Sequence, residues 1–182
     1  HLRADLARYR EFVASIYSRT QYSPNVDLID RKILQLLQED ASLSARELGD
    51  RVGLTATPCW RRVQNLEKMG IISRRVALLD SSALNLSMTA IVQVRTNDHS
   101  ARWLEGFQTA IADFSEIVEA SRTSGETDYM LRVVVPDMAA YDDFYKRLIE
   151  RVDLYDVRSV FVMEELKRTT ALPLDYTAFT TG

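Results

Sequence analysis

The spacing of apolar residues between positions 27 and 69 predicts three short helices. In the first, "DLIDRKILQLLQED", one face carries five apolar side chains: Leu28, Ile29, Ile33, Leu36 and Leu37. The second begins at a capping box formed by Ser44 and Glu47, with Leu43 and Leu48 at the positions of a hydrophobic staple. Gly53, which tolerates positive φ, marks its end.

The third helix is predicted over residues 55–69, in "TATPCWRRVQNLEKM". Either Thr55 or Thr57 can cap it, and Pro58 fits only in its first turn, where its missing N–H costs no hydrogen bond. Successive steps of 100° give one face that we expect to be buried, formed by Cys59, Val63 and Leu66, with Gly70 at the end. The opposite face is polar and basic, with Thr57, Arg61, Gln64, Asn65 and Lys68 on or near it.

The flanks of the third helix, and the segment that follows it, complete the picture of this region. Trp60 and Arg62 lie on the flanks, and "IISRRVALLD" predicts two short strands around a turn that carries Arg74 and Arg75. Three helices and a basic ribbon form a winged helix-turn-helix. Its third helix fits a DNA major groove, and its ribbon lies near the phosphates.

The pattern changes after residue 87 and predicts the order βαββαβ. "MTAIVQVRT" predicts a strand, and "SARWLEGFQTAIADF" predicts a helix with Trp103, Phe107, Ala110, Ile111 and Phe114 on its apolar side. "EIVEASRTSG" and "TDYMLRVVV" predict strands joined near Gly125, "MAAYDDFYKRLIERV" a helix and "DVRSVFVMEEL" a last strand. The expected fold class is therefore α+β, a winged helix-turn-helix followed by a ferredoxin-like domain. Both helices of that domain cover one face of its sheet, so we expect self-association to cover the other.

These elements divide the chain into five parts. We expect a DNA-binding domain at 26–80, a linker at 81–87, the ferredoxin-like domain at 88–174 and a C-terminal tail at 175–182. Residues 1–25 form an N-terminal extension, either helical or partly foreign to the protein. Its helical spacing rests on Leu2, Leu6, Tyr9, Val13 and Ile16.

Composition narrows the class of protein. The 182 residues are 46% hydrophobic and 27% charged, as in ordinary globular proteins, and hold neither a long apolar run nor a recognisable signal peptide. A single cysteine fits a reducing compartment, so we expect a cytoplasmic protein without a membrane segment.

Charge is segregated along the chain although the formal net charge is only −3. Residues 51–75 hold six basic side chains against one acidic side chain, whereas residues 87–182 hold ten basic against sixteen acidic. A basic patch therefore adjoins an acidic body, which favours a binding domain with a separate body, and the winged helix-turn-helix makes double-stranded DNA its expected partner. A merely solvated basic helix face is the alternative.

Several segments together resemble the leucine-responsive and asparagine-operon regulator family (Lrp/AsnC). They are "DRKILQLLQED", "ELGDRVGL", "TPCWRRVQNLEKMGII", "SGETDYMLRVVVPDMAAYDDFYKRL" and "FVMEELK", and the resemblance runs from about Val26 to Leu174. Within the family, "ALLD", "WRRV", "DDFYKRL" and "LKRTTALPL" are most similar to the cysteine-responsive regulators, although Trp60 stands where many members carry a smaller aliphatic residue. The resemblance implies ligand-modulated transcription, an amino-acid effector and homodimers that associate further, into tetramers or octamers.

The candidate DNA contacts follow from the third helix and the ribbon. We expect base and phosphate contacts from Thr57, Trp60, Arg61, Gln64, Asn65 and Lys68, and phosphate contacts from Arg74 and Arg75. Trp60 has a second interpretation, in which it packs across the second helix. Cys59 is expected to be a buried structural thiol and not a redox switch.

The candidate effector site centres on the turn "TSGETDY". Backbone N–H groups around a glycine turn can bind the carboxylate of an amino acid, and a side-chain carboxylate can bind its ammonium group. The predicted site therefore includes Thr123, Ser124, Gly125, Glu126, Thr127 and Asp128, with walls from Val135, Pro136, Met138 and Tyr141. The family resemblance places ligand contacts on this loop, between associating dimers. Asp128 has an alternative role as a turn-forming aspartate.

An enzyme is the competing class of function. Haem-precursor decarboxylases have a similar two-domain outline, but they would be expected to use histidines and basic residues around a large pocket. This chain has only His1 and His99, and its basic residues gather in the first domain. We therefore expect no enzyme activity, no metal and no cofactor beyond an amino-acid effector.

Overall fold

The computed structural model describes residues 26–177 and Phe179. The predicted helical extension at 1–25 lies outside the described residues. The described chain divides into a helical unit, residues 26–77 with 167–177 and 179, and a sheet unit, residues 78–166. The unit boundary near residue 166 differs from the predicted domain boundary at 174, because the last residues pack on the first helix and not on the sheet.

The helical unit contains three helices in succession, α1 Leu28–Glu39, α2 Ala45–Val52 and α3 Ala56–Lys68, and a 3-10 turn at Leu174–Tyr176. Helix α2 begins as predicted, since the Ser44 backbone N–H donates to Glu47 Oε2 at 2.8 Å and the Glu47 N–H donates to Ser44 Oγ at 3.3 Å. It ends at Gly53, whose φ is 76°. The predicted capping box at the start of α2 and the predicted glycine cap at its end are therefore both confirmed.

The core of the helical unit is formed by side chains from all three helices. Among the described residues, eight apolar side chains form this core, namely Val26, Ile33, Leu34, Leu43, Leu48, Cys59, Val63 and Leu66. The predicted inner face of α3 is thus confirmed. In α1 the face is rotated slightly from the prediction, since Leu28 is 46% exposed and Leu34 is buried. Leu28 occupies the first position of the helix, where the side chain lies beyond the core.

The predicted ribbon after α3 is wrong. Gly70, with φ at 72°, ends the helix, and the N–H groups of Ile71 and Ile72 both donate to the Leu66 carbonyl. From residue 73 to residue 80 the chain is exposed and forms no strand. Tight hairpins need residues such as glycine or asparagine that accept positive φ at the turn, and "IISRRVALLD" has none. An isolated pair of strands is in any case barely stable in water.

The sheet unit has the predicted order βαββαβ. Its elements are β1 Met88–Arg95, α4 Ala101–Ala112, β2 Ile117–Arg122, β3 Tyr129–Val135, α5 Met138–Arg151 and β4 Asp156–Phe161. The strands are antiparallel in the spatial order β2-β3-β1-β4, which confirms the ferredoxin-like topology. The last strand is shorter than predicted and ends before Val162.

Alternate residues of the central strands point into one core beneath both helices. Ala90, Val92 and Val94 of β1 are fully buried there, together with the rings of Phe107 and Phe144 from the helices. Burying each ring contributes about 1.5–3 kcal/mol to stability. The opposite face of the sheet carries no helix of its own unit and leaves Val118, Met130 and Val160 partly exposed. No described helix is long and apolar enough to cross a membrane.

Candidate nucleic-acid interface and effector loop

Helix α3 presents its polar side chains on one exposed face. Its buried residues, Cys59, Val63 and Leu66, hold the helix against the core, so the opposite side is turned to solvent. The exposed residues of the helix include Thr57, Trp60, Arg61, Gln64, Asn65 and Lys68. Among the described residues, no carboxylate lies within ion-pairing distance of Arg61 or Lys68. These two cations are therefore available to a polyanion.

The start of α3 differs in one detail from the prediction. Thr55 occupies the N-cap position, but its side chain makes no capping hydrogen bond, and Thr57 lies inside the first turn. Within the described chain, N–H groups of the first turn of this helix therefore have no capping side chain. Such groups are favourable neighbours for phosphate.

Trp60 projects from the helix into solvent. The residue is 43% exposed, although its side chain is large and apolar. The exposure favours the interpretation in which the ring is available to a partner over the one in which it packs across α2.

Arg62 joins α3 to α1, a role that the sequence interpretation missed. Its Nη1 donates to Asp27 Oδ2 at 2.7 Å and to Asp30 Oδ1 at 2.9 Å. The hydrogen bond to Asp30 is the largest influence on the guanidinium and raises the pKa of Arg62, despite the opposing effect of burial. Arg62 therefore fixes the position of α3 and does not face the solvent as its neighbour Arg61 does.

Asp27 caps α1 while it receives Arg62. Its Oδ1 accepts from the N–H groups of Ile29 and Asp30 at 2.8 and 2.9 Å, and Asp30 completes a capping box. Burial by itself would raise the pKa of Asp27, but the Asp30 N–H and the Arg62 guanidinium together lower it. The signal in the sequence was the pair of aspartates three residues apart before an apolar run.

The two arginines beyond α3 have different surroundings. Arg75 Nη2 lies 3.0 Å from Glu67 Oε1, in an ion pair on the surface that contributes at most about 1 kcal/mol. Arg74 is exposed, and no carboxylate lies within ion-pairing distance of it in the described chain. Of the two, Arg74 is therefore the more available to phosphate.

Cys59 is fully buried in the core of the helical unit, as predicted. Burial raises the pKa of its thiol, against a weaker opposing effect of Arg62. A protonated, inaccessible thiol has little reactivity, so the structure gives it a packing role. In the described part of the chain, no group of three or more histidine, cysteine, aspartate or glutamate side chains is placed to hold a metal ion.

The loop 123–128 joins β2 to β3 and is closed by its own hydrogen bonds. The Thr123 N–H donates to the Asp128 carbonyl at 2.8 Å, and Gly125 at the tip has a φ of 117°. Ser124, Gly125 and Glu126 are exposed, so the backbone at the tip is open to a ligand. Only glycine adopts this region of φ without strain.

Asp128 has a structural role, but its carboxylate bonds the segment after β1 and not its own loop, as the alternative of a turn-forming aspartate would have required. Its Oδ2 accepts the Thr96 N–H at 2.9 Å, and its own N–H donates to the Val94 carbonyl at 3.1 Å. These bonds hold the loop against the end of β1. Among the described residues, Oδ1 has no hydrogen bond.

The predicted walls of the effector site lie far from this loop within one chain. Asp128 precedes β3 and Pro136 follows it, so the strand separates them by about 25 Å, at about 3.3 Å per residue. Val135 and Tyr141 are 1% and 6% exposed and belong to the core, where the Tyr141 hydroxyl hydrogen-bonds Ser159. Pro136 and Met138 are exposed. The structure therefore does not bring the two groups of predicted residues together within one copy.

Comparison with known proteins accounts for both units. Residues 26–73 match the winged helix-turn-helix DNA-binding family, and residues 89–172 match the Lrp/AsnC ligand binding domain. The DNA-binding transcriptional activator DecR of Escherichia coli (strain K12) is 47% identical over 151 residues, which cover 82% of this chain and 99% of DecR.

Two solved structures extend the similarity to the fold. An AsnC family transcriptional regulator from Agrobacterium tumefaciens has 53% identity and a TM-score of 0.82, with 84% of this chain and 100% of that chain covered. A transcriptional regulator from Neisseria meningitidis, solved as its complex with L-Met, has 36% identity and a TM-score of 0.80, with 83% and 98% covered. The exposed basic helix, the antiparallel four-stranded sheet and these similarities lead to one conclusion: the chain belongs to the Lrp/AsnC family of transcriptional regulators.

Proposed function

We propose that this protein is a cytoplasmic, sequence-specific transcriptional regulator whose helix α3 binds in the major groove of double-stranded DNA. The observation that carries the proposal is the exposed face of α3, where Arg61 and Lys68 lack carboxylate partners within the described chain while Arg62 is held internally. Long basic side chains on a helix fixed by its buried face are suited to contact base edges and phosphates together.

Within this proposal the exposed residues have separate roles. Arg61, Gln64 and Asn65 contact base edges near the middle of the helix, because guanidinium and amide groups can make two hydrogen bonds to one base. Thr57, Trp60 and Lys68 flank them and contact the backbone. Arg74 and Arg75 bind phosphate from the extended segment that follows, with Arg75 leaving its surface pair with Glu67.

We also propose that an amino acid binds at the loop 123–128 and modulates DNA binding. The open glycine at the tip and the second oxygen of Asp128 supply the two kinds of group that an amino acid requires. Pro136 and Met138 take part only if they come from another copy of the chain, because β3 holds them at the far end of the sheet. The proposed site therefore lies between copies.

Homodimers, and tetramers or octamers built from them, follow from this arrangement. The uncovered sheet face offers Val118, Met130 and Val160 for a second copy, and no strand of the described residues pairs with the outer edge of β4. A ligand bound between copies shifts the protein between assemblies only if it binds one of them more tightly.

The identity of the amino acid is a separate proposal. The resemblance to cysteine-responsive regulators makes cysteine the first candidate, and the L-Met complex of the Neisseria relative makes methionine the second. Leucine and other amino acids are the alternatives within the family.

A mobility shift experiment at fixed salt tests these proposals. The wild type should bind the DNA upstream of its own gene specifically, and one of the twenty amino acids should change the affinity. Arg61→Ala should reduce discrimination between cognate and altered operators by about ten- to a hundredfold, which corresponds to about 1–3 kcal/mol. Arg102→Ala, an exposed arginine at the start of α4, is the matched control and should change nothing.

Other outcomes would contradict specific parts of the proposal. Equal loss of affinity for every operator in Arg61→Ala would remove Arg61 from base recognition. An unchanged amino-acid titration in Asp128→Ala, with normal DNA binding, would remove Asp128 from the effector site.

A further inference from the structure

The C-terminal segment, defined here as residues 172–177 with Phe179, packs on helix α1. The whole sheet unit separates the two in sequence, yet they belong to the same compact unit. Gln38 Nε2 donates to the Leu172 carbonyl at 3.3 Å, and Gln38 Oε1 accepts the Leu172 N–H at 2.6 Å. One side-chain amide thus satisfies both backbone polar groups of a residue 134 positions away.

Arg31 provides the second point of attachment. Its guanidinium pairs with the Asp175 carboxylate and lies over the Phe179 ring, with Cζ 5.6 Å from the ring centroid. Arg31 and Gln38 are seven residues apart, so they lie on one stripe of α1 about 10 Å long. At one end of this stripe Gln38 hydrogen-bonds Leu172, and at the other end Arg31 pairs with Asp175.

Apolar packing supports the polar contacts. Leu174 and Phe179 are half-buried against the core of the helical unit, whereas Tyr176, between them, is 91% exposed. The segment therefore turns Leu174 and Phe179 toward the core and Tyr176 toward solvent. Hydrogen bonds, an ion pair and a cation–π contact therefore join the segment to α1, and apolar burial joins it to the core of the same unit.

Helix α1 also holds the DNA-reading helix in place. Asp27 and Asp30, at its first turn, bind Arg62 of α3, and Arg31 follows Asp30 directly. The same turn of α1 is thus attached to α3 on one side and to the C-terminal segment on another. Any change in how the segment sits on Arg31 acts on the turn that fixes Arg62.

We propose that this stripe of α1 is an interaction surface for the chain's own C-terminal segment, and that the docked segment steadies α3 through α1. The chain then connects the two units twice, once through the residues after α3 and once through the residues before Leu172. The inference rests on the proposed function for its effect on DNA, while docking itself is independent of that function.

Docking is tested in the full chain by amide hydrogen exchange measured by mass spectrometry. Asp175→Arg places a like charge against Arg31, and we expect exchange in the peptide that spans α1 to rise about three- to tenfold. Arg31→Asp combined with Asp175→Arg restores the pair and should restore protection. Unchanged exchange in the single variant, or no recovery in the double variant, would overturn docking through this pair.

The effect on DNA is tested with uncharged substitutions, so that nonspecific attraction to DNA stays constant. Phe179→Ala combined with Leu174→Ala should lower the affinity for the cognate operator about three- to tenfold, because α3 is less firmly held. Tyr176→Ala removes a comparable ring from the exposed side and should match the wild type. Equal affinities of the double variant and the wild type would overturn the effect on α3. Absence of specific DNA binding by the wild type would overturn the proposed function, while the exchange experiment would still decide docking.

Discussion

The two candidate sites of this protein differ in how much of each is present in one chain. Six of the eight predicted DNA-contact residues lie on a single helix of thirteen residues, Ala56–Lys68, and are exposed, while Arg74 and Arg75 follow it in the chain. The predicted effector residues are divided between the two ends of β3, about 25 Å apart. Residues three or four positions apart lie on the same face of a helix because of its periodicity. Residues that precede and follow a strand instead lie at its opposite ends. The predicted DNA contacts therefore lie close together in one copy, whereas the predicted effector residues do not meet within one copy.

The largest expected effects come from the two cores that support these sites. Phe144→Ala, in the sheet unit, should lower the free energy of unfolding by about 3–5 kcal/mol, and Leu66→Ala, in the helical unit, by about 2–5 kcal/mol. Calorimetry of the full chain should show a different part of the unfolding transition shifted by each substitution. If both substitutions shift the same transition equally, the two units do not unfold separately.

Arg62 is the next most sensitive position. Arg62→Met leaves Asp27 and Asp30 without their cation, and their partial exposure reduces the cost from that of a fully buried pair to about 1–3 kcal/mol. We expect a lower melting temperature and weaker binding to all DNA sequences alike, measured by calorimetry and fluorescence anisotropy. Arg61→Met is the matched control, with unchanged stability but altered sequence preference. If Arg62→Met instead lowered the affinity for one operator only, Arg62 would contact a base directly.

Two positions, one in each unit, require glycine for different reasons. Gly49 leaves no space for a side chain, whereas Gly125 adopts a backbone angle that other residues rarely adopt. A Cβ at Gly49 would lie 2.5 Å from the Leu54 carbonyl oxygen, so Gly49→Ala should destabilise the helical unit by about 1–3 kcal/mol and weaken DNA binding. A Cβ at Gly125 would meet nothing within 4 Å, but its φ of 117° strains any other residue by about 1–3 kcal/mol.

Gly125→Ala should therefore weaken the amino-acid response and leave DNA binding in the absence of ligand intact. Calorimetric ligand titration and mobility shifts measure the two effects. A normal response in this variant would mean that the loop tip does not contact the ligand.

The smallest expected effect is a dependence of stability on acid pH. The folded-state pKa of Asp27 is lowered, so the charged carboxylate stabilises the fold at neutral pH. This contribution is lost as the pH falls below the ordinary aspartate pKa of about 3.9 and through the folded-state value. Asp27→Asn keeps a capping side chain but removes the charge. The difference in melting temperature between wild type and variant should be constant above about pH 5 and shrink below pH 4. A constant difference down to pH 3 would contradict the assignment.

The sequence predicted the elements of both units well where the signals were local. The capping box of Ser44 and Glu47, the glycine cap at Gly53 and the buried face of α3 are all confirmed. The order βαββαβ and its antiparallel sheet are confirmed as well. The ribbon after α3 was wrong because two short apolar runs around Arg74 and Arg75 do not by themselves specify paired strands, and neither glycine nor asparagine was present to form a tight turn.

Long-range contacts escaped the sequence interpretation. Arg62 appeared as a flank residue, because nothing in the spacing of α3 indicates that two aspartates more than thirty residues earlier will receive it. The attachment of Gln38 to Leu172 had no signal at all, since a glutamine on a helix and a leucine in an irregular segment are each unremarkable in sequence.

Apart from the segment after α3 and the end of β4, the sequence by itself determined the order of helices and strands, most of their apolar faces, and the family that the chain resembles. These properties depend on periodicity and on caps within a few residues, and so the local sequence contains them. Only the tertiary structure decided that Arg62 is held while Arg61 is exposed, that β3 separates the predicted effector residues, and that the chain's end packs on its first helix. Such contacts join residues far apart in sequence, and they form only when the packing of buried faces fixes the distances between elements.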